Sequence, residues 1–186
     1  LQIQNRDNLS IDEATYFEIL EGKTAALVGA CTRLGSRAGG ASQTIQNSMD
    51  VFGRSIGSAF QVQDDLLDLL GTEDVVGKTL GRDLQKGKLT LPLIHHLGNL
   101  SPESRARSLT LLENASETRA EATGAKAKAH TNELVQSLKE SDSLEYARTT
   151  AKSLIERAKS ALLPLDDTPA RSVLQLLADA VLTRDR

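Results

Sequence analysis

The stretch Gln61-Val62-Gln63-Asp64-Asp65-Leu66-Leu67-Asp68 decides how the chain is read. It lies in a run of helix-forming residues with no proline between Gly40 and Gly71. At about 100° of turn per residue, Gln61, Asp64, Asp65 and Asp68 fall within an arc of roughly 100° on one helix face. Leu66, Leu67 and Leu70 point the other way, towards a core. Three carboxylates on one stripe repel each other, and Asp is only a moderate helix former. A solvated acidic face accounts for such a stripe, and so does a cation lying over it. All-oxygen ligation by carboxylates suits Mg²⁺, which keeps several waters and shares its shell with substrate phosphates.

The residues downstream weigh in favour of the cation. Four glycines, Gly71, Gly77, Gly81 and Gly87, share the positions directly after the acidic stripe with four basic residues, Lys78, Arg82, Lys86 and Lys88. Glycines let backbone approach a ligand, and lysines supply point charges to a diphosphate. A P-loop is excluded: five residues separate Gly71 from Gly77 where that motif has four, and a helical pattern rather than a strand precedes it.

At this point the sequence resembles the trans-isoprenyl diphosphate synthases, the polyprenyl synthetase family. Gln61-x-x-Asp64-Asp65-x-x-Asp68 is similar to their second aspartate-rich motif. Gly77-Lys78-x-x-Gly81-x-Asp83 through Gly87-Lys88-x-Thr90-x-Pro92 is similar to the segment that follows it. Tyr16-x-x-Ile19-x-x-x-Lys23-Thr24 resembles a third motif, whose Lys and Thr reach the allylic diphosphate. Leu163-Pro164, Thr168-Pro169-Ala170 and the closing Arg184-Asp185 resemble the long-chain, octaprenyl-like members.

The resemblance implies an all-α, isoprenoid-synthase-type helical bundle, cytoplasmic and homodimeric in the complete protein. It implies Mg²⁺ as cofactor, with an allylic prenyl diphosphate and isopentenyl diphosphate as substrates. The allylic diphosphate ionises, isopentenyl diphosphate attacks the cation, and a proton is lost. Asp64 is then the direct metal ligand, with Asp65 and Asp68 acting mostly through metal-bound waters. Lys23, Thr24, Gln61, Lys78 and Lys88 contact the allylic diphosphate, and Asp64, Lys23 and Lys78 carry the charge stabilisation of the chemical step.

The chain has 186 residues, 25 acidic against 22 basic side chains, no Trp and a single Cys. That length suffices for one domain with its own core. The near-neutral balance argues against a general nucleic-acid surface. Nothing reads as a signal peptide or a membrane span. Cys31 cannot form an internal disulfide and falls on an apolar helix position, so a reducing cytoplasm is expected.

Helices are predicted in order along the chain. Ser10 and Glu13 form a capping-box pattern opening a helix to about residue 37, with Tyr16, Ile19, Leu20, Ala26, Leu27, Ala30 and Leu34 towards the buried side. After a glycine-rich break, a helix runs from about 42 to 70, with Phe52 and Phe60 as core candidates. Its Gly53 and Gly57 either admit a neighbouring helix or leave room for an isoprenoid tail. Pro92 and Pro102 stand in the first turns of two shorter helices. Two Ala-, Glu- and Lys-rich helices follow, and Thr168-Pro169 restarts a last one with Leu174, Leu177, Ala178, Val181 and Leu182 as its buried stripe. His95 and His96 are adjacent, point about 100° apart and are read as structural.

Only one D-D-x-x-D occurs, and neither an aspartate-rich motif followed by paired Arg nor the family's isopentenyl diphosphate site is present. Residues 1–186 are therefore expected to be the C-terminal part of one polyprenyl synthase domain, with the N-terminal part missing and the isolated fragment inactive. Two alternatives stand beside elongation. One is a class I terpene cyclase, although its usual Asn/Asp-x-x-Ser/Thr-x-x-x-Glu pattern is absent where Asp64 to Asp68 stand. The other is a non-catalytic helical subunit of a heteromeric synthase.

Overall fold

Asp12 opens the first helix. Its carboxylate accepts the Thr15 N–H at 2.9 Å and its carbonyl accepts the Tyr16 N–H at 3.0 Å. The cap thus lies beyond the expected Ser10, whose own N–H is taken by the Asn8 side chain at 2.9 Å. A carboxylate at this position satisfies an orphan donor and also complements the positive helix end, which a serine does not. The computed structural model describes residues 8–70, 81–115 and 125–184.

Nine helices occur among these residues: α1 (Glu13–Leu20), α2 (Ala26–Ala38), α3 (Gln43–Leu70), α4 (Arg82–Gln85), α5 (Leu91–Asn99), α6 (Pro102–Ala115), α7 (Ala125–Glu140), α8 (Ser143–Ala161) and α9 (Pro169–Thr183). A π-helical turn, Glu21–Ala25, joins α1 to α2 without a break. Among the described residues there is no strand, and no helix is long and apolar enough to cross a membrane. Pro92, Pro102 and Pro169 each occupy a first helical turn, where their missing N–H costs nothing.

The helices fall into two units. The first holds residues up to Tyr16 and Asp64–Arg148; the second holds Phe17–Gln63 and Thr149–Arg184. In the first, α6 and α7 pack along each other and bury Leu112, Leu134 and Leu138, while α5 contributes Leu91, Leu93 and Leu97. Gly81 precedes α4 at φ 69°, in the left-handed region, and a Cβ there would stand 2.7 Å from the Thr131 methyl of α7. His95 and His96 diverge as expected. The His95 ring stacks on Tyr146 at 4.1 Å, and the buried His96 places Nε2 3.1 Å from Ser137 Oγ.

The core of the second unit joins Met49, Phe52, Ile56 and Ala59 of α3 to Ile155, Ala158 and Leu162 around α8 and to Ala178 and Val181 of α9. The seam between α2 and α3 is built from small residues. A Cβ on Gly53 would collide with Thr32 Oγ1 and stand 2.8 Å from Gly29 Cα, and one on Gly57 would stand 2.8 Å from Ala25 Cα. Thr32 Oγ1 reinforces the seam by donating to the Met49 carbonyl at 2.6 Å.

Three expectations change here. Leu27 and Leu34, with Cys31 between them, face outward rather than into the core, because the inward positions belong to Ala25 of the π-helical turn and to Gly29 and Thr32 of α2. Leu177 is 54% exposed: Leu174, Ala178 and Val181 make the contact line of α9, and Leu177 sits at its rim beside the exposed Val173 and Leu176. Phe60 is also exposed on α3, with the Arg184 guanidinium carbon 4.1 Å above its ring. Gly53 and Gly57 serve helix approach, the packing reading of the two.

Candidate active site

The last turns of α3 carry Asp64, Asp65 and Asp68, and the structure gives the three carboxylates different surroundings. Asp64 is exposed. The Asp65 side chain is 5% exposed, and both its oxygens are taken. Tyr16 donates its hydroxyl to Oδ2 at 2.8 Å, and Lys88 donates from Nζ to Oδ1 at 2.8 Å. Lys88 Nζ also reaches Asp83 Oδ2 at 2.6 Å, so one ammonium joins two carboxylates.

Asp68 is partly buried and turned to backbone. Its Oδ2 accepts the Asp83 N–H at 3.0 Å, its Oδ1 accepts the Arg82 N–H at 3.3 Å, and its carbonyl accepts the Gly81 N–H at 2.8 Å. The side chain therefore caps α4, whose first N–H groups would otherwise lack acceptors. Lys88 closes the far end of this segment, its own N–H bonding the Asp83 carbonyl at 2.8 Å. The segment from Gly81 to Lys88 is thus fastened to the acidic turn of α3 at both ends.

The charges follow this geometry. Burial pushes the Asp65 carboxyl up, to about 6, against the lowering pull of Lys88. At Lys88 burial works against the ammonium, but Asp65 and Asp83 outweigh it and raise its pKa. Burial and the Asp65 charge hold the Tyr16 phenol well above its ordinary value, so it stays a donor. Burial also raises Asp68, opposed by the Asp83 N–H it accepts.

Gln61 is buried on α3 in the second unit. Lys23 and Thr24 belong to the π-helical turn, in which the Ala26 N–H reaches the Glu21 carbonyl five residues back. That turn leaves Lys23 exposed, Thr24 half-buried and Ala25 fully buried, and an ion pair from Glu21 to Arg54 holds it to α3. A π turn inside an α-helix re-aims its side chains and recurs at functional sites. Lys78 lies outside the described residues. Sequence reasoning gave no role to Tyr16 or Asp83, although both stand inside the motifs quoted for the resemblance. Their partners are distant in sequence, and only the fold pairs them.

Among the described residues no group of three His, Cys, Asp or Glu side chains is poised to hold a metal by itself. The donor set instead offers one exposed carboxylate, Asp64, beside the buried Asp65 and the partly buried Asp68. This fits Mg²⁺, which is commonly held by one or two protein carboxylates with substrate phosphates and waters completing its octahedron.

Residues 1–130 match the family model described as polyprenyl synthetase. The short chain isoprenyl diphosphate synthase of Methanothermobacter thermautotrophicus is 32% identical over 96% of this chain and 52% of its own length. The octaprenyl diphosphate synthase of Escherichia coli is 32% identical over 100% of this chain and 54% of its own. Among solved structures, a decaprenyl diphosphate synthase from Rhodobacter capsulatus superposes with a TM-score of 0.84 at 32% identity, covering 100% of this chain and 54% of that one. The chain spans about half the length of these relatives.

Proposed function

This chain belongs to the polyprenyl synthetase family, and on that premise we propose that the protein carrying it elongates an allylic prenyl diphosphate with isopentenyl diphosphate. The observation that carries the reading is the exposed Asp64 on an acidic turn of α3 whose other carboxylates are fastened to the basic segment that follows. Asp64 would hold Mg²⁺, with Asp65 and Asp68 behind it. Mg²⁺ bound there supplies positive charge to the departing diphosphate.

In the reaction the allylic C–O bond breaks and its electron pair leaves with the diphosphate. The double bond of isopentenyl diphosphate attacks the allylic carbon, and a proton is then lost to restore an alkene. Lys23, Thr24, Gln61 and Lys78 are assigned to the allylic diphosphate. Their donors need only meet charge that grows as the bond breaks, the role in which fixed electrostatics stabilise a transition state most. The motif resemblance places Lys88 at the same diphosphate, whereas its two carboxylate partners, Asp65 and Asp83, favour a different task. A cytoplasmic homodimer is the setting we assign to the complete protein. Relatives named for short, octaprenyl and decaprenyl products leave the product length to be measured.

The test is incubation of the complete protein with Mg²⁺, labelled isopentenyl diphosphate and an allylic diphosphate, with products read by mass. Elongated prenyl diphosphates support the reading. Hydrocarbon released from the allylic diphosphate alone would point to a cyclase, and no turnover without a second subunit would point to a non-catalytic partner. A polypeptide of these 186 residues alone carries one aspartate-rich motif and is expected to give no product above background.

A further inference from the structure

We propose that Tyr16 is a positioning residue for the metal-facing turn of α3, acting through Asp65, and that Lys88 belongs to the same device rather than to the diphosphate site. The inference rests on the elongation reading for its effect on rate, but not for its structural content.

Asp65 follows Asp64 directly, so whatever fixes one fixes the backbone of the other. Its carboxylate is nearly sealed from solvent and receives one donor on each oxygen, from Tyr16 and from Lys88. The Tyr16 side is sealed too, the residue being 2% exposed. An Asp65 that turned outward to a metal would give up the hydroxyl of the buried Tyr16 and one of the two carboxylate acceptors of the part-buried Lys88 ammonium. A Lys88 that swung to a diphosphate would leave two carboxylates, Asp65 and Asp83, without their shared cation. Breaking a buried pair by withdrawing one partner costs more than an exchanged hydrogen bond returns. The network is therefore a fixed frame: Tyr16 sets the Asp65 rotamer, Lys88 ties it to Asp83, and Asp68 holds the Arg82 and Asp83 N–H groups. A carboxylate presented to Mg²⁺ must be held to a fraction of an ångström, and supporting hydrogen bonds behind it do that.

The test compares Tyr16→Phe and Lys88→Gln with wild type in the complete protein. Read are the Mg²⁺ concentration for half-maximal rate, the KM for the allylic diphosphate, and hydrogen exchange of the amides from 81 to 88. Both variants are expected to raise the half-saturating Mg²⁺ by about three-fold or more, with the allylic KM within about two-fold of wild type. The amides from 81 to 88 should exchange faster by more than the loss of global stability, read by urea unfolding, accounts for. A Tyr16→Phe protein with unchanged Mg²⁺ response and unchanged exchange overturns the proposal. So does a Lys88→Gln protein whose allylic KM rises while its Mg²⁺ response does not, since that returns Lys88 to the substrate. If wild type itself fails to elongate, the functional reading falls, and the exchange measurement alone decides the frame: faster exchange in both variants upholds it, unchanged exchange overturns it.

Discussion

A Cβ on Gly57 would stand 2.8 Å from the Cα of Ala25, so α3 and the π-helical turn meet backbone to backbone. The same closeness continues at Gly53, where an added Cβ would collide with Thr32 Oγ1 and crowd the Val28 carbonyl at 2.7 Å. Backbone cannot give way as a flexible side chain can. Gly53→Leu is therefore expected to lose at least ~2–3 kcal/mol by forcing the helices apart, not to shorten a prenyl product in a well-folded protein. Urea unfolding checks this. A Gly53→Leu variant with wild-type stability and a shorter product would restore a tunnel at this wall.

At the other end of the chain, Thr168 accepts the Arg171 N–H on its hydroxyl at 3.3 Å, and Pro169 follows as the first residue of α9. Thr168→Ala should lower stability by about 1 kcal/mol, and Thr168→Ser should restore most of it. The pair of variants separates the cap from the side chain's bulk.

These two positions mark how much was legible in the sequence. Thr168-Pro169 could be read directly, because capping and the fixed φ of proline act between neighbours along the chain. The same locality explains why the starts at Pro92 and Pro102 and the break before Ser42 can be read from the sequence. What local chemistry could not reveal is which face of a helix turns inward when small residues, not large ones, make the contact. Leu27 and Leu34 look like core by periodicity, yet Gly29, Gly53 and Gly57 set the packing and leave those leucines outside. The site was legible in part for the same reason. The stripe from Gln61 to Asp68 declares itself by spacing. The contact of Tyr16 with Asp65, 49 residues apart, has no signal until the fold brings the two together.

His96 gives the stability a pH dependence. Burial, then the neighbouring His95, lowers its pKa below 6.5, and its Nε2 stands 3.1 Å from Ser137 Oγ. The unfolded chain takes up this proton near 6.5, whereas the folded chain resists it to lower pH. Between those points the unfolded state binds more protons, so stability falls as pH drops through this window. His96→Gln should flatten that part of the profile. Denaturation of both proteins at pH 7.5 and about 5.5 reads the effect as a difference of differences. Parallel losses in the two would assign the acid sensitivity to other groups.

The three carboxylates of the α3 turn should also part company under mutation. Asp64 is exposed, whereas Asp68 is partly buried and accepts the N–H groups of Arg82 and Asp83. If Asp64 holds the metal, Asp64→Ala in the complete protein should lower kcat by about 100-fold or more. Its melting temperature should stay level or rise, because one like charge leaves the stripe. Asp68→Ala instead strands two backbone donors at the start of α4 and is expected to cost about 1–3 kcal/mol of stability. Asp68→Asn keeps one carbonyl acceptor and should recover part of that loss. Steady-state rates beside calorimetric melting for the three variants decide the matter. An Asp64→Ala enzyme with near-normal kcat would remove the metal from Asp64, and an Asp68→Ala protein that melts like wild type would remove the structural role from Asp68.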